Sequence, residues 1–134
     1  LCYTHGTKEE NTYGMVQAIR HPYIQIISHP GDGTALLDFE PIVLASKECG
    51  TLLEINNSSL KPTRNKVDAR DNNREILRLC KQYEVPVILG SDAHISFDIA
   101  NYEYLYSLLQ ETEFPEELIV NRCVEVFKKC LKKI

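Results

Sequence analysis

Residues 87–94 constrain the fold of this chain more than any other segment. They read Val-Ile-Leu-Gly-Ser-Asp-Ala-His, a run of apolar and small residues that ends in an acid and a histidine. An apolar run of this length is typical of a buried parallel strand. In an extended chain alternate side chains point the same way, so Asp92 and His94 are predicted to face one site or two adjacent ones. Because both residue types bind metal ions, the pair predicts a metal site at a strand end.

Helical and strand-like patterns alternate along the rest of the chain. Short connections between strands and helices imply parallel strands joined by right-handed crossovers. We therefore predict an α/β fold with no internal domain boundary. The apolar spacing predicts helices over residues 13–20, 38–48, 72–81, 99–109 and 124–131, the first with its N-terminus at 11–12, and further strands over 23–28, 51–55 and 117–120.

The bulk composition suits one soluble globular domain. The chain has 134 residues, of which 43% are hydrophobic and 25% charged. A net charge of −4 argues against nucleic acid as the main partner, because phosphate backbones bind basic faces. No apolar run approaches the about 18 residues of a membrane span, so no membrane partner is expected. The five cysteines form no CxxC pair, which favours reduced, mostly buried thiols in a cytoplasmic protein.

Two other predicted strands also end in polar residues. His29 follows the strand that contains Ile26 and Ile27, and residues 56–59, Asn-Asn-Ser-Ser, follow Ile55. The carboxyl ends of parallel strands lie on one face of the sheet, where α/β proteins build their active sites. We therefore expect these residues to lie close to Asp92 and His94. Together they predict a metal-dependent hydrolase.

Each of these features also has a structural alternative. His29 precedes a proline and suits a turn, while Asp92 suits the start of a following helix with His94 incidental. Residues 56–59 suit a polar loop that satisfies backbone groups as well as one that contacts substrate. The basic loop around Arg64 is by default a solvated loop, and contact with an anionic phosphate is its alternative.

Three motifs of this chain resemble the polymerase and histidinol phosphatase (PHP) family, and most closely its stand-alone phosphatase-like hydrolases. They are Ile-Ile-Ser-His29-Pro-Gly, Leu-Glu-Ile-Asn56-Asn-Ser-Ser and Leu-Gly-Ser-Asp92-Ala-His94. The resemblance implies the C-terminal portion of a distorted (β/α)7 TIM-like barrel with a trinuclear site of zinc, manganese or iron at the C-terminal strand ends. It also implies hydrolysis of a small phosphorylated substrate by a metal-activated water that attacks phosphorus.

The resemblance also implies roles for individual residues. By motif matching, His29, Asp92 and His94 are metal ligands, and the last two count as catalytic residues. The loop residues expected to contact substrate are Asn56, Asn57, Ser58 and Arg64.

Other features of the family are absent from this sequence. An HxH pair near the N-terminus, further histidines and a bridging glutamate are missing, and the chain begins at Leu1. We therefore expect residues 1–134 to be a single partial domain. Three ligands cannot hold three ions, since a catalytic zinc takes about three protein ligands for one ion. For the chain alone the expectations are little activity, weak metal occupancy and self-association through uncovered apolar edges. The alternative function is a non-catalytic α/β module that scaffolds a partner.

Overall fold

A computed structural model describes residues 6–62 and 68–131 of the chain. Within these two ranges helices and strands alternate as far as residue 111, so the predicted α/β class is confirmed. The elements are α1 (Lys8–Arg20), β1 (Ile26–Ile27), α2 (Phe39–Cys49), β2 (Leu52–Asn56), α3 (Ala69–Tyr83), β3 (Val87–Gly90), α4 (Glu103–Glu111) and α5 (Val124–Cys130).

The three strands form one parallel sheet in the order β1-β2-β3. Ile26 pairs with Leu52, and Leu53 pairs with Val87, so β2 lies in the middle. The prediction of parallel strands joined through helices is confirmed, because α2 connects β1 to β2 and α3 connects β2 to β3. Helix α2 packs against both α1 and α3. A barrel also needs strands in chain order, but three strands do not close one, and the barrel stays a prediction.

The two faces of the sheet differ in burial. Alternation along paired strands places Leu53, Ile55 and Val87 on the face that packs against the helices, and all three are fully buried. Their partners in this core include Ile19, Ile42, Val43, Ile76 and Leu77. The opposite face is more open, since Glu54 and Gly90 are half-buried there and Ser28, which continues β1, is exposed. Polar groups on this open face can therefore reach the carboxyl edge of the sheet.

The structure confirms some helix ends and corrects others. Helix α2 has the expected Asp38 N-cap and ends at Gly50, which takes the left-handed conformation. The predicted start of α1 at residues 11–12 is wrong: the helix begins at Lys8. The cause is a capping box, in which the Thr7 side chain accepts from the Glu10 amide and the Glu10 carboxylate accepts from the Thr7 amide. Similarly, α3 begins earlier than predicted, at Ala69, and α4 begins later, at Glu103.

The strand predicted over residues 117–120 is wrong. The chain there forms two short 3-10 turns, Glu116–Leu118 and Val120–Arg122, and Ile119 makes one isolated bridge to Val87. A side chain replaces the missing ladder: the Asn121 amide accepts from the Leu89 N–H at 3.1 Å and donates to the Leu89 carbonyl at 2.8 Å. This amide satisfies both backbone groups of Leu89 at the edge of β3 without a fourth strand.

The cysteines are less uniformly buried than predicted. The four described cysteines are free thiols: Cys80 is buried and Cys123 is exposed, while Cys49 and Cys130 lie between these extremes. Burial raises the pKa of Cys80 to about 12. Hydrogen bonds from the backbone of Val126 and Glu125 lower the pKa of the Cys123 thiol. None of the helices in the described ranges has the length and apolar character to cross a membrane.

Candidate functional site

Glu54 joins the carboxyl ends of all three strands. It lies on the open face of β2, and its Oε2 accepts hydrogen bonds from the Ser28 hydroxyl at 2.7 Å and the His29 amide at 2.8 Å. Its other side covers Gly90, where an alanine methyl group would collide with the carboxylate. Burial of Leu53 and Ile55 on the opposite face fixes this direction. In the sequence, the signal for this direction is the apolar residue on each side of Glu54.

His29 is held in an unusual geometry directly after β1. Its φ is 36°, in the left-handed region, and its carbonyl accepts from the Asp32 amide at 3.2 Å. Its ring Nδ1 lies 3.2 Å from Oδ2 of Asp32, a carboxylate that is only 5% exposed. A carboxylate at this distance favours the proton on Nδ1, which leaves Nε2 available to a ligand. Asp32 is not among the site residues predicted from the sequence.

His94 has the same ring arrangement at the end of β3. Its Nδ1 lies 2.8 Å from the backbone carbonyl of Asp92. Because a carbonyl only accepts, Nδ1 carries the proton and Nε2 is again the nitrogen available to a ligand. Both residues are exposed. Because this hydrogen bond defines the orientation of the ring, it favours a ligand role for His94 over the alternative of an incidental histidine.

The sequence predicts that Asp92 and His94 face one site because alternate side chains of an extended chain point the same way. This reason is wrong. Strand β3 ends at Gly90, and Asp92 has a φ of 52°, so the chain is not extended across this pair. Extended alternation therefore cannot aim the two side chains. The link between them is the contact of the His94 ring with the Asp92 backbone.

The predicted ligands share the carboxyl edge of the sheet without forming a complete site. His29 follows β1 and Asp92 follows β3, which lie on either side of β2 and thus about 10 Å apart at ordinary strand spacing. Across residues 6–62 and 68–131, no three side chains of His, Cys, Asp or Glu cluster closely enough to hold a metal ion. At the carboxyl edge of the sheet, His29 and Asp92 are thus separate metal-binding groups, and one ion could bind both only if they moved closer together.

The polar segment at the end of β2, residues 56–59, is buried and structural in its contacts. Asn56 Oδ1 accepts from the Ser59 amide at 3.0 Å. Asn57 Oδ1 accepts from the amides of Tyr104 and Leu105 at 3.0 and 3.1 Å, and so caps the first turn of α4. These bonds favour the alternative in which the loop satisfies backbone groups.

Parts of this loop remain open to the other role. The Asn57 Nδ2 and the Ser58 hydroxyl are buried and bond to no partner within the described part of the chain. Contact of Asn56, Asn57 or Ser58 with a substrate therefore stays a prediction. Arg64, the fourth predicted substrate contact, lies outside the described residues.

Replacing Asn57 by alanine is expected to lower the free energy of unfolding by about 2–3 kcal/mol. The change removes a fully buried amide and leaves two helix N–H groups without their acceptor. Urea unfolding measures the loss. Asn101→Ala is the matched control, because Asn101 Oδ1 accepts from one amide of the same helix, that of Glu103. We expect it to cost about 1 kcal/mol or less. Equal losses in the two variants would contradict the cap assigned to Asn57.

Comparison with known proteins gives similarity to probable phosphatases. No family model matches the chain. It is 45% identical over 132 residues to a probable phosphatase of Caldicellulosiruptor bescii, an alignment that covers 98% of this chain and 54% of that protein. A probable phosphatase of Clostridium novyi is 42% identical over 120 residues, with 90% and 48% covered. One from Acetivibrio thermocellus is 36% identical over 133 residues, with 99% and 54% covered. The chain thus spans about half the length of the curated relatives that it matches.

Proposed function

We propose that this chain supplies His29, Asp92 and His94 to the metal site of a phosphoester hydrolase of the PHP type. One observation carries the proposal: both strand-end histidines place Nδ1 against an oxygen acceptor, which leaves Nε2 for a ligand. Histidines that bind metals almost always donate their second N–H to a carboxylate or carbonyl in this way. The names of the relatives support a phosphoester as the bond that is hydrolysed.

The donors of the strand ends fit the metals that the proposal needs. Imidazole nitrogen and carboxylate oxygen together suit zinc, manganese and iron. Bound there, a divalent ion would acidify water and neutralise phosphate oxygens. The protein side chains hold and orient: His29 and His94 present Nε2, and Asp92 adds a negative charge at the edge. We further propose that Asn56, Asn57, Ser58 and Arg64 contact the substrate.

The proposed activity belongs to a protein with the full set of ligands. The described ranges hold no group of three ligands, and the chain spans about half of its relatives. For the 134-residue chain alone we expect weak metal occupancy and little hydrolysis. We also expect it to self-associate, because large apolar side chains such as Ile26, Phe97 and Ile99 are exposed.

Metal loading tests the proposal directly. The chain and the complete product of its gene are each loaded with Mn²⁺ or Zn²⁺, desalted and analysed for metal content. Hydrolysis of p-nitrophenyl phosphate is then followed. We expect the product with the full ligand set to lose its activity on treatment with a chelator and to recover it when metal returns. Activity that survives complete metal removal would refute the proposal.

A second candidate function is a non-catalytic α/β module that binds a partner protein. The absence of a three-ligand group among the described side chains favours it. The two candidates differ in what the complete gene product contains and does. If that product also lacks further histidine ligands, binds no divalent metal and hydrolyses no phosphate ester while folded, the second candidate replaces the first.

A further inference from the structure

We propose that Asp32 and Glu54 are positioning residues for His29. In this proposal Glu54 fixes the backbone of the histidine, and Asp32 fixes which ring nitrogen carries the proton. The inference rests on the proposed role of His29 as a metal ligand. It assigns roles to two residues, Asp32 and Glu54, that are not among the proposed ligands. Neither residue needs to touch metal or substrate.

Glu54 acts on the main chain. Its Oε2 accepts from the His29 amide at 2.8 Å and from the Ser28 hydroxyl at 2.7 Å. His29 has a φ of 36°, a conformation that a residue with a side chain keeps only where its surroundings enforce it. The carboxylate supplies that enforcement from the neighbouring strand. Its packing on Gly90 ties the same group to β3, which leads into Asp92.

Asp32 acts on the ring. Its two carboxylate oxygens contact different residues. Oδ1 accepts from the Thr34 amide at 2.9 Å and from the Thr34 hydroxyl at 2.7 Å, and Oδ2 lies 3.2 Å from Nδ1 of His29. The Asp32 amide also donates to the His29 carbonyl. A carboxylate that is 5% exposed beside a half-exposed ring is an arrangement that fixes the ring tautomer.

A purely structural role for Asp32 makes a different prediction. If Asp32 served only the turn with Thr34, asparagine would replace it without consequence, because an amide oxygen accepts the same two bonds. The backbone amide of Thr34 can only donate, so it holds the asparagine oxygen on that side. The asparagine NH₂ then faces His29 and donates where the carboxylate accepted. Asp32→Asn therefore keeps the turn and reverses the preference of the ring.

The decisive experiment is nitrogen-15 NMR of the histidine rings in the metal-free 134-residue chain. At about pH 8.5 an ordinary imidazole is neutral, and the two tautomers have distinct nitrogen shifts. His29→Gln identifies the signal among the four histidines of the chain. We expect the Nδ1–H form in the wild type and a shift to the Nε2–H form in Asp32→Asn. Asp38→Asn is the matched control, since the Asp38 carboxylate caps α2 and is expected to leave the His29 signal unchanged.

A second measurement tests Glu54. The substitution Glu54→Ala removes the carboxylate that accepts from the His29 amide. Hydrogen exchange of that amide should therefore be about 10- to 100-fold faster. Glu54→Gln keeps one acceptor oxygen and should restore most of the protection. Glu48→Ala, which removes an exposed carboxylate paired with Arg20, should change nothing at His29.

Metal affinity, measured by competition with a chromophoric chelator, links these results to the proposed function. Zn²⁺ affinity should fall about 10- to 100-fold in Asp32→Asn. A wild-type ring already in the Nε2–H form, or an unchanged ring in a folded Asp32→Asn, would overturn the positioning role. If the ring responds as expected and neither chain nor complete gene product binds zinc, the proposed metal function fails while the positioning of His29 stands.

Discussion

Replacing Asp92 by alanine is expected to reduce phosphoester hydrolysis by about 1000-fold in the protein that carries the complete ligand set. The proposed site gains several kcal/mol of transition-state stabilisation from its metals, and loss of about 4 kcal/mol corresponds to this factor. The change removes the carboxylate ligand that the proposal places at this edge. Hydrolysis of p-nitrophenyl phosphate and metal content are measured together, and both should fall.

Asp98→Ala is the control for this substitution. It makes the same chemical change six residues further on, where the carboxylate pairs with Lys61 at 3.5 Å. An ion pair of this kind contributes about 1 kcal/mol or less to stability, so activity should stay within about twofold of the wild type. If Asp92→Ala keeps both its metal and its activity, Asp92 is not a ligand, and the hydrolase proposal loses the motif on which it began.

The strand ends were predictable because they depend on local pattern. Apolar runs that stop at His29 and before Asp92 are visible in the sequence, and parallel strands place their ends together. The contacts that organise the site were not visible. The position of Glu54 over Gly90 depends on the register of two strands separated by a helix. The role of Asp32 depends on the left-handed backbone conformation of His29. The sequence does not predict this conformation, because the residue is not a glycine.

The helix starts divide in the same way. The capping box of α1 was predictable from the sequence, because Thr7 and Glu10 have the spacing that identifies one. The start of α4 depends mainly on a distant residue. The amides of Tyr104 and Leu105 bond to Asn57, 47 residues away from Tyr104, and only the Glu103 amide has a local partner, the Asn101 side chain. Long-range bonds of this kind decide both the helix start and the burial of the loop.

Truncating Ile55 to alanine is expected to lower the free energy of unfolding by about 4 kcal/mol, a large part of the 5–15 kcal/mol that is usual for a domain. Ile55 is fully buried on the middle strand and belongs to the core cluster between the sheet and the helices. The strand cannot retract to fill the cavity, because Ile55 pairs with Leu89 and its neighbour Asn56 pairs with Gly90. Urea unfolding followed by circular dichroism measures the loss.

Ile95→Ala is the control for this truncation, since it removes the same atoms from a side chain that is 60% exposed. Its effect should stay within about 0.5 kcal/mol. Because β2 lies between the strands that end at His29 and Asp92, loosening it should also weaken the hold of Glu54 on the His29 amide. Hydrogen exchange at that amide should then quicken in Ile55→Ala and not in Ile95→Ala. Equal stability losses in the two variants would contradict the placement of the core on the helical face of the sheet.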